Sequence, residues 1–104
     1  MTIAAETARR EWQDAARRIE DARSDRARYE RLLAQVDVVV DELRRRIGQT
    51  FTLAELVREY EDAERWTREA VAERAPTPGW AGDLATVQAA AFERYQRGAS
   101  DYRP

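Results

Sequence analysis

The side chains able to do chemistry in this chain are arginines and carboxylates, and little else. All 18 basic residues are arginine, set against 20 acidic ones, and His, Cys and Lys are absent. That removes the commonest general base, the thiol nucleophile and the Schiff-base amine. The acids Asp37, Asp41, Glu42, Glu55, Glu59, Glu61, Asp62 and Glu64 fall in the middle of the chain, but arginines flank most of them. A di-iron bundle requires Glu-x-x-His, which a His-free chain cannot supply. No zinc spacing, Gly-rich phosphate loop or G-x-S-x-G is present. No catalytic residue, metal or cofactor is therefore expected. Arg44, Arg45 and Arg46 could make a phosphate patch. However, Asp41→Arg45 and Glu42→Arg46 are i,i+4 pairs, so the run reads as the solvated, dipole-favoured end of a helix.

Formal net charge is −2 with 37% charged residues of both signs. This balance argues against nucleic acid or an anionic membrane as partner. No apolar run approaches the ~18–20 residues of a membrane span, and the first residues carry no apolar signal-peptide block. The expectation is a soluble, cytoplasmic protein. Abundant Ala and Arg without Lys or Asn suggests a GC-rich bacterial genome.

These side chains must be positioned by helices. From Thr2 to Ile47, Ala5, Ala8, Trp12, Ala15, Ile19, Ala22, Arg26, Tyr29, Leu33, Val36, Val40, Leu43 and Ile47 alternate in steps of three and four. That is a heptad seam, broken only by Arg26 and by no Gly or Pro. It predicts one long coiled-coil helix capped by Thr2 and ended by Gly48. Thr52 and Glu55 form a capping box for a second helix, with Phe51 and Leu56 at hydrophobic-staple positions. Its stripe is Leu53, Leu56, Val57, Tyr60, Ala63, Trp66, Ala70 and Val71. Residues Ala75 to Gly82 read as a Pro/Gly turn. Asp83 then caps a short third helix carrying Leu84, Val87, Ala91, Phe92 and Tyr95, ended by Gly98.

The fold class is accordingly all-α: a long heptad-patterned N-terminal helix, an antiparallel second helix and a short third one. At ~1.5 Å per residue the first helix would measure about 65 Å and the second about 33 Å. The second can cover only the C-terminal half of the first. Residues 25–98 are thus expected to form a three-helix bundle, with 1–24 a projecting coiled-coil arm and 99–104 a tail. Trp12 and Ile19 would lie exposed along the arm, with Trp12 the natural anchor in a partner's groove. Arg26, polar at a seam position, would set register or oligomer state, or bind an anion between helices. Trp80 would cap the bundle or serve in docking. A break at Ser24-Asp25 would instead fold the arm back as a fourth helix; the unbroken register argues for continuity.

These features suggest a non-enzymatic coiled-coil interaction module, a small bacterial regulator or adaptor. It would dimerise with its own copy, or dock a helical protein partner, through the N-terminal helix. Two alternatives are an arginine-based anion or nucleotide sensor at a helix interface, and an enzyme of a pericyclic reaction, which needs no proton transfer. In size and helix order the chain is similar to the all-helical chorismate mutases. That resemblance would place Arg9, Arg28, Arg58 and Gln88 around a diacid, but the family's site lysine and leucine-rich first-helix pattern are missing. Glu20 and Ser24 match the start of the E-x3-S-x2-R-x3-Q-x3-D signature of small actinobacterial anti-sigma coiled coils. Ala27, Arg31 and Gln35 occupy its remaining positions, so the ligand site does not carry over.

Overall fold

The chain reverses direction at Ser24-Asp25. The computed structural model describes residues 4–48, 50–75 and 84–100. Among them lie four α-helices: α1 (Ala5–Asp21), α2 (Arg26–Arg46), α3 (Leu53–Arg74) and α4 (Leu84–Ser100). A single 3₁₀ turn, Ala22–Ser24, joins α1 to α2. Asp25 then takes an extended conformation (φ −104°, ψ 91°), and its carboxylate accepts the Arg28 N–H at 3.3 Å as the N-cap of α2. The expected continuous first helix is therefore two helices. The arm does not project, and the three-helix bundle is a four-helix bundle. Dimensions agree: the longest extent is 38 Å, whereas an unbroken helix would need about 65 Å.

The physical reason is burial. Ala8, Trp12, Ala15 and Ile19 are 0–4% exposed, and α1 packs most extensively on α4. Small residues on both helices, Ala8 and Ala15 facing a helix that carries Ala89, Ala90 and Ala91, allow close approach. Folding back also shields an indole that the extended arm would leave in water.

The last helix is the hub: α4 packs against each of the other three. Phe92 at its centre touches Trp12 (ring centroids 5.7 Å), Tyr60 (5.1 Å) and Trp66 (6.2 Å). Trp12 meets Tyr60 edge-on at 5.5 Å, a geometry favoured by the ring quadrupoles. Expected to end at Gly98, α4 instead continues to Ser100. Val36, Val39 and Leu43 of α2, and Leu56, Val57, Ala63 and Val71 of α3, complete the core.

Local signals hold where they were strongest. Gly48 adopts φ +87°, the left-handed conformation that ends α2. Its carbonyl accepts the Tyr95 hydroxyl, tying this turn to α4, and Phe51 stacks on the Tyr95 ring at 5.1 Å. Both halves of the capping box form: Glu55 N–H donates to Thr52 Oγ1 at 3.1 Å, and Thr52 N–H to Glu55 Oε1 at 3.0 Å. These bonds hold the Glu55 carboxyl below its ordinary pKa. Thr52→Ala is expected to cost about 1 kcal/mol of stability, read as a lower urea midpoint at unchanged slope.

Candidate functional site

Of the four candidate interaction residues, the three that lie among the described residues, Trp12, Ile19 and Arg26, do not come together as one surface. Trp12 is fully buried and Ile19 is 4% exposed, so both belong to the core of their own chain. Arg26 does not sit on a helix–helix seam: its side chain is 90% exposed and pairs with Glu30 at 3.3 Å within α2. It occupies the first position of α2, where the seam is interrupted by the reversal. Trp80, most of the Pro/Gly turn, the Asp83 and Thr2 caps and residues 101–104 lie outside the described residues. Arg9, Arg28 and Arg58 are exposed on α1, α2 and α3, while Gln88 donates to the Tyr60 carbonyl at 3.4 Å. The three arginines of the pericyclic reading thus face solvent from three different helices. At the end of α2, Arg45 pairs with Asp41 at 3.4 Å. Arg46 pairs with Glu42 at 3.2 Å and lies 4.8 Å above the Trp66 ring, so this run is engaged by its own protein.

A different constellation forms where α1 folds back. A cleft of about 290 Å³ opens between α1, α2 and α4. Ile19, Leu33, Val36 and Ala90 supply apolar lining, while Arg17, Arg94, Arg97, Glu20 and Glu93 supply the charge. Three cations against two carboxylates leave the lining formally +1. Arg94 pairs across helices with Asp37 at 2.5 Å, Arg97 with Glu93 at 3.1 Å, and Arg17 with Asp14 at 3.7 Å. The Arg17 and Arg97 side chains are 73% and 70% exposed, so these pairs are solvent-screened and worth little individually. A guanidinium in such a pair can exchange its carboxylate for an incoming one at low cost. Glu93 differs, with its side chain only 14% exposed.

At the hinge end, Tyr29 of α2 donates its hydroxyl to Glu20 Oε2 at 2.9 Å. That bond, foremost, raises the Tyr29 pKa above the ordinary tyrosine value. Arg23 approaches the other Glu20 oxygen at 3.6 Å. Glu20 is therefore held from both sides of the reversal.

Among the described residues no group of three acids converges as a metal site, and no helix is long and apolar enough to cross a membrane. Comparison with protein-family models, with curated proteins and with solved structures returned no match.

Of the charged cleft residues, sequence reasoning noted only Glu20, and that in a signature whose ligand site does not carry over. Glu93 and Arg97 form an i,i+4 pair, as surface helices commonly do. What joins them to Arg17 and Glu20 is the return of α1 onto α4, and no spacing in the sequence encodes that distance.

Proposed function

We propose that the protein is a non-enzymatic binding module, a small helical regulator or adaptor, whose recognition element is the α1–α2–α4 cleft. The observation that carries this reading is an apolar floor of Ile19, Leu33, Val36 and Ala90 beneath three arginines. Such a site fits a partner segment that presents an apolar side chain beside a carboxylate. The volume, about 290 Å³, lies at the lower edge of small-molecule pockets, which argues for an inserted anchor rather than an enclosed substrate. The absence of His, Cys and Lys from the sequence supports the non-enzymatic reading.

The test compares wild type with Arg94→Ala/Arg97→Ala in affinity capture from the native host, followed by titration of the recovered partner. Both substituted side chains are substantially exposed, so the thermal midpoint should move by less than about 2 °C. Binding should weaken at least tenfold and depend on salt. Equal binding by the two proteins would exclude the cleft. The arginines also favour a second reading, a small-anion or nucleotide sensor. A saturable thermal shift with nucleotides or diacids, lost in the double variant, would establish that reading instead.

A further inference from the structure

We propose that α1 is an exchangeable element: the Ala22–Asp25 hinge can straighten, and two chains then swap their α1 helices to form a symmetric dimer. Three observations carry this.

The first is that the reversal rests on very little backbone. Ala22–Ser24 is already helical in hand, as a 3₁₀ turn, and the residue departing from helical dihedrals is Asp25 (φ −104°, ψ 91°). Rotating ψ of Asp25 into the helical range joins α1 to α2. The linking residues Ala-Arg-Ser-Asp contain no Gly or Pro to forbid it.

The second is the heptad. Ile19, Ala22, Arg26 and Tyr29 keep the three-four spacing across the hinge, so straightening places the buried residues of α1 and α2 on one face of one helix. A bent hinge alone does not require that phase. In the straightened chain α1 would extend about 26 Å beyond its own bundle. It would leave uncovered the α4 surface that it buried.

The third concerns what fits the vacated surface. Two straight helices paired antiparallel about a two-fold axis at the hinge put each α1 beside the other chain's α2, running the same way as in the monomer. The occupant of the groove is thus α1 of a second copy, which restores the buried surroundings of Trp12 and Ile19. Exchange of identical elements is a low-cost route to a closed dimer. Each cleft would take Arg17 and Glu20 from one chain and Arg94 and Arg97 from the other.

One hydrogen bond across the hinge is made within a chain only in the bent form. The Tyr29–Glu20 hydrogen bond spans the hinge. Nine residues along a continuous helix put those side chains on opposite faces, about 13 Å apart along the axis, so a straight chain cannot make it internally.

The test is solution mass by size exclusion with light scattering, after refolding at low and high protein concentration. Wild type should move from 12.0 kDa toward twice that mass as the refolding concentration rises. Ser24→Ala/Asp25→Ala removes the α2 cap and raises helix propensity through the hinge. Its dimer-to-monomer ratio at a given concentration should rise roughly tenfold or more. Arg26→Pro should do the reverse. Proline is accepted at the first position of α2 and favours an extended Asp25 before it, but it breaks a continuous helix. That variant should stay at 12.0 kDa with a native circular dichroism spectrum. Were every variant monomeric at all concentrations, the exchange would be excluded. A dimer formed equally by Arg26→Pro would exclude it too, because that dimer would not pass through the hinge.

Discussion

Trp12→Ala should strongly destabilise the fold rather than abolish a binding event. The indole is fully buried between Tyr60 and Phe92, at the meeting of α1, α3 and α4. Truncating a buried Trp to Ala costs about 3–5 kcal/mol, against a total stability of about 5–15 kcal/mol for a domain. The site has poor means of collapse, because Phe92 is simultaneously held by Tyr60 and Trp66. The variant should show a large drop in urea midpoint, loss of near-ultraviolet dichroism and partial unfolding at 37 °C. Trp12→Phe keeps a ring in the cavity and should recover much of the loss. The Trp12 indole N–H has no hydrogen-bond partner among the described residues, so no bond to them is given up. This pair separates two roles for the residue. An interface anchor would leave a stable, folded Trp12→Ala chain that fails only to bind, and that outcome would overturn the four-helix arrangement.

The second large effect is alkaline destabilisation, which this composition makes unusually clean to read. Without Lys or Cys, and with arginine charged throughout, the side chains titrating between about pH 9 and 12 are the four tyrosines. Three of them have raised pKa values in the fold. Tyr60 is raised most, by burial and then by its hydrogen bond to Glu11 at 2.9 Å. Tyr95 is raised by burial, with Arg44 opposing. Tyr29 is raised by Glu20.

The sign follows from proton counts. Above pH 10 the unfolded chain has lost the Tyr60 proton while the folded chain keeps it, so stability falls as pH rises. Below pH 10 both states hold the proton and the contribution is fully present. Tyr60 can add at most about 1.4 kcal/mol of loss per pH unit over that window, less in so far as solvent screens it. With no His, stability should be nearly flat from about pH 6 to 9. Urea midpoints between pH 8 and 11.5 measure the profile. Tyr60→Phe should shift it slightly down at pH 8 and flatten it above pH 10 by up to one proton. An unchanged alkaline slope in Tyr60→Phe would contradict the partly buried, hydrogen-bonded placement of that hydroxyl.

The failed expectation of a projecting arm is informative about what a sequence can encode. Ser24-Asp25 carried a legible start signal, since Asp25 is a good N-cap. Against it stood a heptad that keeps phase through Arg26. Over a few residues the bent and straight chains differ mainly in the ψ angle of Asp25. The choice falls to Trp12, Ile19 and Ala15, whose burial requires α4, and α4 is nearly the whole chain away. The cleft inherits the same limit: Arg17 and Arg94 are ordinary surface arginines until α1 returns.

What the sequence determined by itself is whatever depends on neighbours within about one helical turn. It specified the all-helical class, the left-handed stop at Gly48, the Thr52–Glu55 capping box and the apolar stripe of α3. It also removed most acid–base and nucleophilic chemistry, since absent residue types need no geometry to be excluded. Tertiary structure alone decided that the first forty-odd residues form two helices, that α4 is the hub, and that Trp12 serves the core. It alone created the arginine-rimmed cleft. The reason is common to all four. Helix caps and stops are satisfied by backbone and side-chain groups a few residues apart, whereas burial of an apolar stripe is satisfied by any surface of matching shape. Which surface that is emerges only when the whole chain competes for it.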